Sequence, residues 1–308
     1  MLTPSEITAR TARAVAAATT AGRELGLRVD EPRVLYDVFS VIVHLAPSPV
    51  VVRVPTVLPH AFVDDPDAQA AQQLSELSVA GWLTDHGHPV VPPSPLVPRE
   101  PVRSGGFSMT FWQLVEQVPD AEPEARRRFE VTAELHAALR CYDSSELGFL
   151  QPFGPFIPDA LAQLEHHPDL VSASDVIRAQ REWATIGPLV SSREAFETAF
   201  PDATIQPIHG DAPYYNLIVT PDGEYWSDFE LVTLGPVEAD LALAGPEGQA
   251  AYDEAAAQLG LRPLDKRALH VIESAAMLAT VACLAMAPQL PMLVDAVAPQ
   301  LEKWRATP

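Results

Sequence analysis

The sequence predicts an α+β fold of two lobes: a small antiparallel-sheet lobe with one helix, then a larger and mainly helical lobe. Three observations predict it. Residues 33–54, "RVLYDVFSVIVHLAPSPVVVRV", are rich in β-branched and aromatic residues and are broken by Ala46-Pro47-Ser48-Pro49. From Glu124 onward the apolar residues recur at helical spacing, as Phe129, Thr132, Ala133, His136 and Leu139 do in "EARRRFEVTAELHAALR". Between these regions Pro119-Asp120 reads as a hinge, so residues 1–118 form one lobe and 119–308 the other. A chain of 308 residues is long enough to give each lobe its own core.

The elements follow in order. Thr3-Pro4-Ser5-Glu6 starts a helix, with Thr3 as N-cap, Pro4 in the first helical position and Glu6 completing a capping box; Gly26 ends it. The β-rich segment reads as a strand over 33–45, bent near Asp37, and a second over 50–54. Asp65-Pro66 opens a helix that reaches about His86 and stops at Gly87, with Glu76 in its middle. "HPVVPPSPLVPREPV" is too rich in proline for a helix and reads as extended edge segments. Ser104-Gly105-Gly106 then turns the chain into "FSMTFWQLVEQV". The second half is mainly helical, interrupted by a hairpin in "IHGDAPYYNLIVTPDGEYWSDFE", Ile208 to Glu230.

Composition narrows the function. With 47% hydrophobic and 20% charged residues the chain is an ordinary globular protein. A net charge of −21 repels nucleic-acid phosphates, so a nucleic-acid partner is not expected. The same charge either suits a cationic small molecule or serves solubility alone. Cys141 and Cys283 lie far apart with no C-x-x-C pattern, which fits a reduced, cytoplasmic chain. Arg10 and Arg13 interrupt any signal-peptide core. No stretch reads as the roughly 18 apolar residues of a membrane span, so no membrane partner is expected. Lys266 and Lys303 are the only lysines, so a phosphate clamp earlier in the chain must use arginine. His86/His88 and His166/His167 sit beside Gly or Pro and read as surface histidines, and the P-loop, dinucleotide-binding and H-E-x-x-H patterns are missing.

The Ile208–Glu230 segment carries the chemistry. Thr220-Pro221-Asp222-Gly223 is a four-residue turn whose arms, 216–219 and 224–228, bring Asn216 and Asp228 to one open end. Asp211 lies on the loop just before the first arm. Carboxylate and amide oxygens are hard donors suited to Mg²⁺ shared with phosphate oxygens, and a further carboxylate can take a proton from a hydroxyl. Taken singly, Asp211 reads equally as a turn residue, Asn216 as a strand cap and Asp228 as an edge carboxylate.

Together, H-G-D-x4-N, eleven residues and D-F-E resemble the catalytic and metal-binding segments of the aminoglycoside phosphotransferase and choline kinase-like family. "GPVEADLA", Gly235 to Ala242, resembles the G-x-x-x-x-D-L-A segment that follows in that family. The resemblance implies a protein-kinase-like fold and a small-molecule kinase that moves the γ-phosphoryl group of ATP, or of GTP, to a hydroxyl with Mg²⁺. It implies Asp211 as catalytic base, Asn216 and Asp228 as metal ligands, and His209 and Asp240 as supports of the loop. In the first lobe it puts Arg53 of "VVVRV" where a phosphate-binding lysine is usual, with Glu76 as its ion-pair partner. Ser40 falls in the phosphate-loop region, and Glu116 and Val118 in the hinge that meets the adenine. Tyr214, Tyr215 and Glu230 are candidates for the acceptor pocket, although the tyrosines could equally pack beneath the hairpin. Two departures stand out: no glycine occurs between Gly26 and Gly81, where a glycine-rich phosphate loop is expected, and arginine is a planar fork where lysine is a point charge. The acceptor implied is an aminoglycoside-like or macrolide-like antibiotic or an amino-alcohol metabolite. The rival expectation is a pseudokinase-like binding or regulatory protein that uses nucleotide weakly or not at all.

Overall fold

A computed structural model describes residues 1–307, except for the side chain of Asp64. The chain divides into two compact units, Met1–Gln117 with Met286–Leu293, and Val118–Ala285 with the residues from Val294 onward.

The first unit is a five-stranded antiparallel sheet between helices. Its elements are α1 (Pro4–Glu24), β1 (Val29–Asp37), β2 (Ser40–Pro47), β3 (Val50–Pro55), α2 (His60–Asp64), α3 (Pro66–Asp85), β4 (Val102–Ser104) and β5 (Phe107–Gln113). The strand order is β1-β2-β3-β5-β4. Strand alternation sorts the side chains onto two faces. Val41, Val43, Leu45, Val50, Val52, Val54, Met109 and Phe111 pack with Ala14, Ala17, Ala18 and Ala21 of α1. Burying each of the larger side chains contributes roughly 1.5–3 kcal/mol. The alternate positions Ser40, Arg53, Ser108 and Thr110 form a buried polar face, and Arg53 lies directly across from Ile42 and Thr110. Thr3 and Glu6 form the capping box, and Asp65 caps α3 by accepting from the amides of Asp67 and Ala68.

Two expectations about this unit need correction. Residues 33–45 are a hairpin, not one bent strand. The chain reverses at Val38-Phe39 without glycine, because Asp37 is held from α1 by the Thr11 hydroxyl at 2.5 Å and by Arg10 at 3.8 Å. The Phe39 carbonyl then accepts from the amides of Thr56 and Val57, both at 3.0 Å. Secondly, Met286–Leu293 groups with the first unit, not with the helical residues on either side of it. Arg10 donates to the Gln289 carbonyl at 2.9 Å, and the Gln289 side chain exchanges two hydrogen bonds with the Leu58 backbone at 2.8 and 3.2 Å.

The second unit contains α4 (Ala125–Leu139), α5 (Phe156–Leu164), α6 (Ala173–Val190), α7 (Arg193–Ala199), β6 (Ile205–Ile208), β7 (Leu217–Thr220), β8 (Gly223–Trp226), β9 (Thr233–Pro236), α8 (Gly245–Gln258), α9 (Lys266–Ala282) and α10 (Leu293–Ala306). Its strands form two antiparallel ribbons, β6–β9 and β7–β8. Phe129, Phe196, Ile208, Tyr252, Ile272 and Trp304 belong to one core drawn from both halves of this unit. Lys266–Met286 corrects the expectation that no stretch matches a membrane span: it is long and apolar enough. In the fold its helix buries Ile272, Ala275, Leu278 and Val281 in that core.

Candidate active site

Strand pairing delivers the site. β7 and β8 pair Leu217 with Trp226, so Asn216 and Ser227 sit just beyond the ladder, where Ser227 N–H donates to the Asn216 carbonyl at 2.8 Å. The first arm lies one residue later than the sequence expectation, and the second starts one residue earlier and ends two earlier, but Asn216 and Asp228 still lie at the open end. The Asn216 amide bridges back to Asp211, donating to its carboxylate at 2.9 Å and to its carbonyl at 3.0 Å. Asn216 Nδ2 is thereby committed, which leaves Oδ1 as the atom that can meet a cation.

The loop before Asp211 is held by Asp240, which is buried. Its carboxylate accepts from the backbone amides of His209 at 2.9 Å and Gly210 at 2.7 Å. Gly210 has φ +85°, and a Cβ there would lie 2.1 Å from the Leu231 carbonyl oxygen, so this turn requires glycine. His209 donates from Nε2 to the Ser227 carbonyl at 3.0 Å, and its ring packs against Trp226 and Phe229. Burial pushes the imidazole pKa down, as befits a neutral packing group. His136 of α4 and Tyr252 of α8 extend this support: His136 Nε2 donates to Asp240 at 2.9 Å, and Nδ1 accepts from the Tyr252 hydroxyl at 2.8 Å. The sequence marked His136 only as one position of an apolar helix face, and Tyr252 carried no signal at all.

Asp211 is exposed, yet its pKa is raised to about 7. Desolvation by the packed surroundings is the main cause; the Asn216 hydrogen bond opposes it, and the charges of Asp228, Glu230 and Asp240 add to it. Asp228 adopts φ 58°, ψ 59°, a left-handed conformation that costs a non-glycine residue about 1 kcal/mol or more and that clusters at functional sites. Among the described residues no three His, Cys, Asp or Glu side chains form a metal-holding group. The donors that fit Mg²⁺ are instead the Asp228 carboxylate and the Asn216 amide oxygen. They are hard ligands in a crowd of negative charge that a divalent cation would relieve.

The two tyrosines divide between the alternatives. Tyr214 packs edge-on to Phe129 at 6.1 Å and its hydroxyl donates to the Leu243 carbonyl at 3.4 Å, whereas Tyr215 is 91% exposed. Glu230 is half-buried in the short turn that follows Asp228.

In the first unit Arg53 and Glu76 are both buried, and their side chains approach to 3.7 Å as an ion pair. Ser40 is not a turn residue: it is the buried first residue of β2, paired with Pro55, because the reversal falls at Val38-Phe39. Glu116 is exposed. The Val118 N–H donates to the Val219 carbonyl at 2.9 Å and its carbonyl accepts from the Ala121 N–H at 3.3 Å.

No protein-family model matches the chain, and no curated protein sequence matches it. Solved structures do. Aminoglycoside phosphotransferase APH(3'')-Id from Streptomyces rimosus is 20% identical with a TM-score of 0.55, over 84% of this chain and 96% of that one. Its complex with ADP and streptomycin aligns at 18% identity and 0.56 over the same shares. Choline kinase LicA from Streptococcus pneumoniae is 12% identical with a TM-score of 0.59, over 93% and 99%. The chain has the fold of these kinases. Spectinomycin phosphotransferase APH(9)-Ia, in complex with ADP and spectinomycin, is similar at 11% identity and a TM-score of 0.56, over 94% and 93%. At such identities the likeness is one of fold.

Proposed function

We propose that this chain is a Mg²⁺-dependent phosphotransferase of the aminoglycoside phosphotransferase and choline kinase-like family, moving the γ-phosphoryl group of ATP to the hydroxyl of a small molecule. One observation carries the reading: the Asp211 carboxylate, on a loop braced by Asp240, is tied at 2.9 Å to Asn216, with the strained Asp228 closing the same hairpin. In this role ionised Asp211 accepts the proton of the acceptor hydroxyl. The hydroxyl oxygen forms its bond to the γ-phosphorus, and the bond to the departing ADP breaks. Asn216 and Asp228 would hold Mg²⁺, which supplies charge neutralisation to the phosphate oxygens when bound. Arg53, steadied by Glu76, serves the phosphates, and Glu116 lies in the segment assigned to the adenine. Tyr215 and Glu230 are assigned to the acceptor, Tyr215 because it is 91% exposed. GTP is the alternative donor.

The fold neighbours support the reading by what they bind: the complexes named above hold ADP with streptomycin and ADP with spectinomycin. A cationic acceptor, whether an antibiotic of the aminoglycoside or macrolide type or an amino alcohol, suits a chain of net charge −21. A second reading, a nucleotide-poor pseudokinase, draws on the glycine-free β1–β2 turn, which exposes Leu35, Tyr36 and Phe39 and offers no close cradle for phosphate. An ADP-release assay over a panel of amino-sugar, macrolide and amino-alcohol acceptors separates the two. Acceptor-dependent, Mg²⁺-dependent ADP release is expected of the phosphotransferase, and none from any acceptor of the pseudokinase.

A further inference from the structure

The loop from Asp211 to Asn216 is anchored at its start by Asp240, but the four residues that follow Asp211 have no strand to hold them. Tyr215 is 91% exposed, with its ring tilted against that of Tyr214 at 6.4 Å. Pro213 is buried, and Tyr214 is held in part by a cation that lies outside the recognised motifs. Arg128 of α4 donates from Nη1 to the Tyr214 carbonyl and from Nη2 to Glu122 at 3.2 Å. The Arg128 side chain is 14% exposed, whereas that of Glu122 is 85% exposed, so the buried end of the guanidinium is aimed at the loop. The neighbouring residue Phe129 receives the Tyr214 ring edge-on. Hydrogen bonds with an ionised partner are about twice as strong as neutral ones, and the planar guanidinium fixes direction as well as distance.

We infer that Arg128 is a positioning residue: by holding the Tyr214 carbonyl it fixes Asn216 two residues on, whose Oδ1 would meet Mg²⁺, and through the Asn216 amide it fixes the Asp211 carboxylate that serves the acceptor hydroxyl. This rests on the phosphotransferase reading above. Loss of such an outer support costs roughly 10–100-fold in metal affinity at comparable sites.

The test is calorimetric titration of the full chain with ADP, with and without Mg²⁺. Wild type binds ADP more tightly with Mg²⁺. Arg128→Ala is expected to lose roughly 10–100-fold of that gain while its affinity for metal-free ADP stays unchanged. Arg128→Lys, which keeps a charged donor but not the fork, should recover only part of the gain, and Glu122→Gln should keep all of it. Arg128→Gln, milder in packing, replaces Arg128→Ala if the latter does not fold, and should show a smaller loss of the same kind. An unchanged Mg²⁺ gain in the Arg128 variants, or an equal loss with and without Mg²⁺, overturns the inference when Asp228→Ala does abolish the gain. No gain in wild type, or a full gain in Asp228→Ala, overturns the phosphotransferase reading itself.

Discussion

Asp211 sits under two opposing influences: desolvation by the groups packed around it and the carboxylates of Asp228, Glu230 and Asp240 disfavour its charged form, whereas the Asn216 amide favours it. A carboxylate held by one amide among other negative charges suits a proton acceptor. Asp211→Asn keeps the shape and loses the acceptor. Turnover should fall by about 10²–10⁴-fold with ADP affinity nearly unchanged, as steady-state kinetics and calorimetry would record. Arg53 poses a different problem, since Glu76 beside it is fully buried and cannot be left alone without cost. Arg53→Ala should weaken nucleotide binding by roughly 2–4 kcal/mol, and Arg53→Lys should not restore it, because a point charge does not fill the place of a fork. Wild-type nucleotide affinity in Arg53→Ala would remove this residue from the phosphate site.

At the scale of elements, what is local in sequence was legible and what is distant was not. The β7–β8 hairpin follows from a Thr-Pro-Asp-Gly turn between two short apolar arms, all contained in a dozen residues. α1 and α3 announce themselves through Thr3, Asp65 and the prolines that follow them. The β1–β2 reversal escaped because it has no turn residues of its own and depends on Arg10 and Thr11, 26 residues from Asp37 in the case of the threonine. Arg128 and Tyr214 are 86 residues apart, and His136 and Tyr252 are 116 apart, beyond any periodicity argument. A pH dependence belongs to this scale too. Arg305 of α10 donates to Asp175 of α6 at 2.6 Å, and that guanidinium, chiefly through its hydrogen bond, holds the Asp175 carboxyl below the usual carboxylate range. A depressed carboxylate stabilises the fold above its unfolded pKa of about 3.9 and loses that contribution as pH falls through the folded value. Denaturant midpoints of wild type and Arg305→Ala should therefore differ at neutral pH and converge below about pH 4.

For the whole molecule, the two-lobe reading and the site motif came from the sequence, but the return of Met286–Leu293 to the first unit did not. That return is made by Arg10, Gln289 and backbone groups of residues far apart in the chain, a pairing that leaves no compositional mark. The apolar run of α9 shows the converse: hydropathy alone matches a membrane span, and only the packing of α9 against its own unit reveals a core helix. Function at this scale turns on whether a chain with a glycine-free phosphate turn and a buried arginine still takes up metal-bound nucleotide. Thermal denaturation of wild type and Asp228→Ala, with and without millimolar Mg²⁺-ATP, tests this most directly. A ligand at about 100 times its dissociation constant stabilises the folded state by roughly 2.7 kcal/mol, so the wild-type midpoint should rise by several degrees while that of Asp228→Ala stays in place. A wild-type midpoint unmoved by millimolar Mg²⁺-ATP, or an equal rise in Asp228→Ala, would contradict the assignment.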